Sequence, residues 1–405
     1  MTMTTTKTDV QTLEAQHVLQ NYRRQPVVFE RGEGMRLFDD RGRAYLDFLS
    51  GIGVASLGHG HPALARALAE QAKTLIHTSN LYFHPLQGEL AARLSTLTGL
   101  ERAFFCNSGT EAVEACLKFA RRYWHTRGAG RPKFVAFVHS FHGRTMGALS
   151  VTSDEHYRIP FEPLIHDVVF ADAADPASIS RLVDASTAAV IVEPIQGEGG
   201  VRMMSREAAA AITAAARRTG ALIIADEVQS GSGRTGSFLA ASSIGLQPDL
   251  VALGKALGAG VPIGATMCSA EVATAIVPGD HGTTYGGNLL ACRAALCFLD
   301  ELVDGGLIAQ VGRVGRHVEE RLRAIAASHA IVREVRGQGL MWGLDLTIDA
   351  APVVPAGLAR GVIVNRTAET VVRLLPPFVI TEADADEGLD RLAAALDDVA
   401  HGRNT

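Results

Sequence analysis

Lysine is scarce in this chain: five among 405 residues, at positions 7, 73, 118, 133 and 255. Lysine and arginine together number 38 against 43 acidic residues, a formal net charge of −5 with no long run of one sign, so there is no basic footprint for nucleic acid. Cysteine is equally sparse. Cys106, Cys116, Cys268, Cys292 and Cys297 are odd in number and contain no C-x-x-C pair, which indicates neither a disulfide framework nor a zinc knuckle and fits a reduced, cytoplasmic compartment. No apolar stretch approaches the roughly 20 residues needed to span a bilayer, and the opening segment Met1–Lys7 lacks the apolar core of a secretory signal. His59 and His61 are closely spaced but have no third ligand nearby, so they read as loop residues and no metal is expected.

What is present is the texture of a packed α/β protein. Apolar residues make up 47% and charged residues 20%, and the length exceeds the roughly 250–300 residues at which one core stops growing. Residues 36–49 alternate around Asp40-Arg41-Gly42, which predicts a β-hairpin. From about residue 100, short apolar runs alternate with helical patterns, the signature of a mostly parallel sheet covered by helices. The runs are 103–106, 134–138, 188–192, 221–225 and 250–253, and each is followed at once by polar or glycine-rich residues. Ligands in open α/β sheets lie outside the carboxyl ends of the strands, so these five segments should converge on one site. Beyond residue 290 the pattern predicts long helices, a strand near 371–375 and a last helix over about 382–400. Residues 61–290 read as the large domain, with 1–60 and 291–405 as two parts of a smaller one.

Only Lys255 follows a buried-type strand, in Leu250-Val251-Ala252-Leu253-Gly254-Lys255. A lysine in that place can lose its charge through burial, and only a neutral amine attacks a carbonyl. A surface lysine in a loop remains the alternative on this observation alone. Asp226 ends the preceding apolar run, where its carboxylate would be desolvated unless it had a partner. An acid in that place suits the ring nitrogen of a pyridine cofactor such as pyridoxal-5′-phosphate (PLP), which must stay protonated to draw electrons from a substrate carbon. Ser108, Gly109 and Thr110 open a helix whose apolar residues 113, 116, 117, 120 and 123 follow a helical period, and small side chains there would let backbone N–H groups approach a phosphate. An ordinary N-cap by Asn107 or Ser108 is the plainer alternative. Gly231-Ser232-Gly233-Arg234-Thr235-Gly236 matches the glycine spacing of a dinucleotide site, but Gln229-Ser230 separate it from the strand and Asp249 begins rather than ends the next one, so that reading is rejected.

The segments 107–112, 140–145, 193–200, 224–229 and 281–288, in this order, resemble those of the class III aminotransferases of PLP fold type I, and among them the bacterial acetylornithine enzymes. The resemblance covers nearly the whole chain from Gly32. It implies that Lys255 holds PLP covalently and Asp226 faces the ring nitrogen, with Phe141 and Val228 on the two ring faces and Gln229 near the ring hydroxyl. It also implies that Thr284 reaches the phosphate of a neighbouring subunit, hence a homodimer with shared sites.

Two arginines suit a transaminase that uses glutamate in one half-reaction and a terminal amine in the other, because arginine grips a carboxylate through two parallel hydrogen bonds. Arg144 lies in the loop carrying Phe141, and Arg373 lies in the otherwise apolar Val371–Leu375; a structural ion pair is the alternative for each. The resemblance places Arg373 on the α-carboxylate of glutamate and Arg144 on the carboxylate at the opposite end, and makes Glu198 a mask that pairs with Arg373 and swings away. It implies N-acetylornithine as donor and 2-oxoglutarate as acceptor, in arginine biosynthesis. Residues 51–62 and 77–83 carry this choice, whereas Ala368-Glu369-Thr370 and Leu289 depart from the family pattern. Ornithine, succinylornithine, diaminopimelate precursors and carrier-linked lysine are alternative donors, and an aminomutase of the same fold is a more distant reading.

Overall fold

The computed structural model describes residues 10–402; Lys7 and the opening segment, with residues 403–405, lie outside them. A hairpin forms where the alternation places it, with β1 (Phe29–Glu33), β2 (Arg36–Asp39) and β3 (Ala44–Asp47) antiparallel in sequence. The large sheet contains β4 (Arg102–Cys106), β5 (Lys133–Phe137), β6 (Val168–Ala171) and β7 (Thr187–Val192), followed by the short ribbon β8 (Ile195–Gln196) and β9 (Arg202–Met203). It is completed by β10 (Leu222–Asp226), β11 (Leu250–Leu253) and β12 (Gly264–Cys268), in the order β4-β12-β11-β10-β7-β5-β6. Every residue of β7, β10 and β11 is buried, because helices cover both faces and no alternation is needed.

One strand escapes the sequence pattern. β12 runs antiparallel between β4 and β11, and its glycine, alanine and threonine give it no apolar run. Running the other way, it brings its first residue to the same sheet edge as the carboxyl ends of its neighbours. A Cβ on Gly264 would lie 2.2 Å from the Ser108 carbonyl oxygen, so only glycine fits.

The C-terminal third holds more strand than its sequence suggests. β13 (Val332–Gln338), β14 (Met341–Leu346), β16 (Asn365–Thr367) and β17 (Val371–Leu374) form a second antiparallel sheet, while β15 (Val362–Ile363) pairs in parallel with β3. Charged residues in β13 and the brevity of β15 and β16 conceal them from periodicity. Residues 29–47 and 362–363 therefore share one sheet. Further stitching comes from Leu375 N to Phe48 O (2.7 Å) and Phe378 N to Ser56 O (2.7 Å). The last helix, Glu382–Ala400, starts at a capping box in which Thr381 and Asp384 satisfy each other's backbone N–H. Among the described residues no helix is long and apolar enough to cross a membrane, and no cluster of three or more His, Cys, Asp or Glu side chains has metal-binding geometry. His59 instead pairs with Asp47 at 2.8 Å.

Candidate active site

The polar segments after β4, β5, β7, β10 and β11 meet at one edge of the large sheet. Their contacts are close enough to exclude side chains. A Cβ on Gly109 would lie 2.4 Å from Val228 Cγ1, one on Gly254 3.2 Å from the Gly109 backbone, one on Gly143 2.2 Å from Thr110 Oγ1, and one on Gly197 2.1 Å from Gln229 Oε1.

Ser108 is the N-cap of the helix Gly109–Thr126, and its Oγ accepts from Glu111 N at 3.3 Å. Glu111 also accepts from Asn107 N and Ser108 Oγ, at 2.8 and 2.9 Å. No acceptor among the described residues takes the N–H groups of Gly109 and Thr110. Two free donors at the positive end of an 18-residue helix, beside a glycine with no room for a Cβ, have the chemistry that suits an anion such as a phosphate.

Asp226 is buried, and its Oδ2 lies 2.7 Å from His142 Nδ1 while Oδ1 accepts from Val228 N at 3.1 Å. His142 is the partner that desolvation at this strand end requires, and the sequence reading missed it although it stands beside Phe141. Glu193 is a second buried acid, bound to Phe141 N (2.9 Å) and Gly197 N (3.3 Å); burial, followed by the nearby Asp226 charge, raises its carboxyl well above the ordinary range. It ties the loop carrying Phe141 to the loop carrying Glu198.

Lys255 follows β11 in left-handed conformation (φ 42°), an uncommon state for a residue with a side chain and one that concentrates at functional sites. Burial lowers its ammonium below the ordinary value, against the opposing pull of the Glu198 and Asp226 carboxylates. Arg373 is fully buried on β17, with Nη1 2.5 Å from Glu198 Oε1 and 3.1 Å from Gln229 Oε1. A third of the Glu198 side chain is accessible. Burial pushes its carboxyl up, but the charge and hydrogen bond of Arg373 prevail and hold it below its ordinary value. Gln229 also bonds Glu198 through Nε2, at 3.4 Å.

Arg144 is exposed, with its guanidinium 3.8 Å over the Tyr157 ring and 5.4 Å from that of Phe141, and forms no ion pair among the described residues. A cleft of about 1080 Å³ opens beside it, lined by Phe141, Tyr157, Glu198, Thr367 and Glu369. Ala368 and Glu369, in the turn between β16 and β17, adopt φ 44° and 60°. Thr284 is exposed, and its neighbour Thr283 accepts from Asn107 Nδ2 through Oγ1 at 3.2 Å.

The description "Aminotransferase class-III" fits a family model matched by residues 18–396. The chain belongs to the class III aminotransferases. It is 48% identical to acetylornithine aminotransferase of Archaeoglobus fulgidus over 93% of this chain and 97% of that protein, and 44% identical to that of Aquifex aeolicus over 94% and 100%. A solved ornithine aminotransferase of Toxoplasma gondii, with PLP in its active site, superposes at a TM-score of 0.92 with 33% identity, covering 97% of this chain and 95% of that one. As a class III aminotransferase the protein is a PLP-dependent transaminase with the fold type I architecture. The free N–H pair at 109–110, the buried Asp226 and the half-buried Lys255 fit the phosphate, ring nitrogen and aldehyde of that cofactor in turn.

Glu227, next to Asp226, is buried with Oε1 bound to Ala241 N and Oε2 to Ser230 Oγ, both at 2.7 Å. Burial raises its carboxyl from 4.5 to about 7. Between those values the folded chain holds a proton that the unfolded chain has released, so stability falls as pH rises through the window. Glu227→Gln should flatten that dependence. Unfolding free energies from urea titrations at about pH 5 and about pH 8 should differ less in the variant than in wild type, by on the order of 1–3 kcal/mol.

Proposed function

We propose that the protein transfers the terminal amine of N-acetylornithine to 2-oxoglutarate, giving N-acetylglutamate 5-semialdehyde and glutamate, a step of arginine biosynthesis. The observation that carries this reading is the Glu198–Arg373 pair. A buried guanidinium whose counter-charge sits on the loop 197–200, with one side open to the cleft, can be masked for a donor that reacts through a terminal amine and uncovered for the α-carboxylate of glutamate. Removing one partner from a buried pair costs about 3–5 kcal/mol, so the incoming carboxylate must replace Glu198 rather than merely displace it. Near-full-length similarity to proteins named acetylornithine aminotransferase supports this donor over free ornithine.

PLP supplies an aldehyde that condenses with primary amines and a protonated ring that withdraws electrons from the substrate carbon. Asp226, oriented by His142, would hold the proton at the ring nitrogen. The N–H groups of Gly109 and Thr110, with the Ser108 hydroxyl, would hold the phosphate, while Phe141 and Val228 would flank the ring and Gln229 would stand toward its hydroxyl. Lys255 would hold the aldehyde, and its amine would carry the proton of the substrate carbon. Arg144 grips the carboxylate remote from the reacting amine. The same groups serve donor and acceptor in turn, so the kinetics are ping-pong.

The reading includes a cytoplasmic homodimer, with residues 61–290 as the large domain and the two flanking portions as the small one. Exposed Leu75, Ile76, Leu81, Tyr82, Phe83 and Tyr285 form an apolar surface around Thr284 that supports pairing with a second copy. Asn80 Nδ2 braces it by donating to Gly286 O at 3.0 Å. Thr284 then reaches the phosphate of the partner's site.

Borohydride treatment of the yellow holoenzyme should fix the cofactor on Lys255, read by peptide mass, and Lys255→Ala should lose the visible band; attachment elsewhere would refute the assignment. N-acetylornithine should exceed free ornithine in kcat/KM by about one to two decades, since acylation removes a cation whose desolvation costs on the order of 1–3 kcal/mol. A preference for free ornithine overturns the donor. Glu198→Ala should weaken the N-acetylornithine half-reaction while sparing that of glutamate, in single-turnover spectra taken with each substrate alone. Equal losses would make Glu198 a structural residue.

A further inference from the structure

Arg234 is a second fully buried arginine, and no carboxylate within hydrogen-bond reach answers it. Nη1 donates to the carbonyl oxygens of Leu340, at 3.2 Å, and Pro376, and the guanidinium lies 4.4 Å from the Phe378 ring centre. Nε and Nη2 are buried without an acceptor among the described residues. Burial pushes the group down to about 9. The backbone around it is equally engaged. Arg234 O accepts from Leu340 N at 3.0 Å, Thr235 O accepts from Gln338 Nε2 at 3.2 Å, and a Cβ on Gly339 would lie 2.7 Å from Arg234 O.

A buried cation with no carboxylate in hydrogen-bond contact is costly even with the charge of the buried Asp47 acting on it, and an apolar side chain of similar volume would fill the space more cheaply. What arginine adds is a single amino group, Nη1, set against both carbonyls by a rigid plane that lies on the Phe378 ring. The two it bridges belong to the turn joining β13 to β14 and to the residues just past β17. β14 and β17 are paired at Trp342↔Leu374 and Gly343↔Arg373, so the bridge closes immediately beyond Arg373. At its other end Arg234 belongs to the segment that starts with Asp226 and includes Gln229, whose Oε1 accepts from Arg373 Nη1.

We propose that Arg234 is a positioning residue that sets the place of the carboxylate-binding Arg373 relative to the cofactor acid Asp226, by fastening the loop after β10 to the two strands that hold Arg373. Glycines 231, 233 and 236, which imitate a nucleotide loop, are then the means by which the chain folds tightly enough to bury this arginine: a Cβ on Gly233 would meet Leu302 Cδ1 at 2.5 Å, and Gly236 has φ 86°. The inference rests on reading Arg373 as the glutamate-binding arginine.

Arg234→Met keeps the volume and removes the guanidinium. It should leave the visible cofactor band and the Tm near wild type, raise KM for glutamate about tenfold or more, and change KM for N-acetylornithine much less. Arg234→Lys, which retains a cation but not the rigid plane that sets Nη1 against both carbonyls, should recover only part of the glutamate affinity. Phe378→Leu, which removes the ring against the guanidinium without touching its hydrogen bonds, should shift the same parameter in the same direction by a smaller factor, and keeps the test open if the methionine variant fails to fold. Equal changes for both substrates, or an unchanged glutamate KM in a folded variant, would overturn the proposal. Arg373→Lys separates the two readings: if it is selective against glutamate and Arg234→Met is not, only the positioning role fails, whereas a non-selective Arg373→Lys removes the premise.

Discussion

A carboxylate at the end of a strand in which every residue is buried needs hydrogen-bond partners in place of the water it has lost, and the Asp226–His142 contact supplies one. Much of the site is arranged around this contact. His142 comes from the loop after β5, so that loop must cross toward β10, and Phe141 travels with it. Glu193 pins the crossing loop through Phe141 N, and the same carboxylate holds Gly197, one residue before Glu198. One buried acid thereby fixes the cofactor end, and another links it to the substrate end.

Lys255 feels the same interior. Burial lowers its ammonium below the ordinary value, while the Glu198, Asp226 and Glu193 carboxylates oppose the change. Because Glu198 is itself held by Arg373, the lysine, the acid and the arginine form one electrostatic set.

The strand-end segments were legible because a parallel sheet buried on both faces writes itself as short apolar runs, and the residues just past each run make up the functional edge. Lys255, Asp226 and the 108–110 turn stood out on that basis. β12 did not, because Gly264-Ala265-Thr266-Met267-Cys268 has neither an apolar run nor clean alternation; its identity as a strand comes from the partners on either side. β13 and β16 were hidden by charged residues that pair across to other elements, as Arg336 does with Asp345. His142 escaped for another reason: it lies in a segment already assigned to Phe141 and Arg144, and its value depends on an acid 84 positions away. The arrangement around Arg234 was likewise visible only as a glycine spacing, since its partners, Leu340 and Pro376, are main-chain carbonyls that carry no sequence signature.

Lys255, Asp226 and the 108–110 turn come from one edge of the large sheet, whereas Arg373 comes from the second sheet, along with the turn 368–370 beside the cleft. The two sets stand on separate sheets that meet at a few joints, such as Gln229 against Arg373, so change can enter each of them away from those joints. Substitutions that tilt or shift the second sheet would alter which carboxylates and acyl groups are accepted while leaving cofactor retention intact, so a lineage could explore new amine donors without passing through an inactive apoprotein. The tolerance is uneven: the glycines packed against Val228, Thr110, Gln229 and Ser108 allow no drift, and the turn at Ala368-Glu369, already unlike the family pattern, is where such exploration leaves its mark.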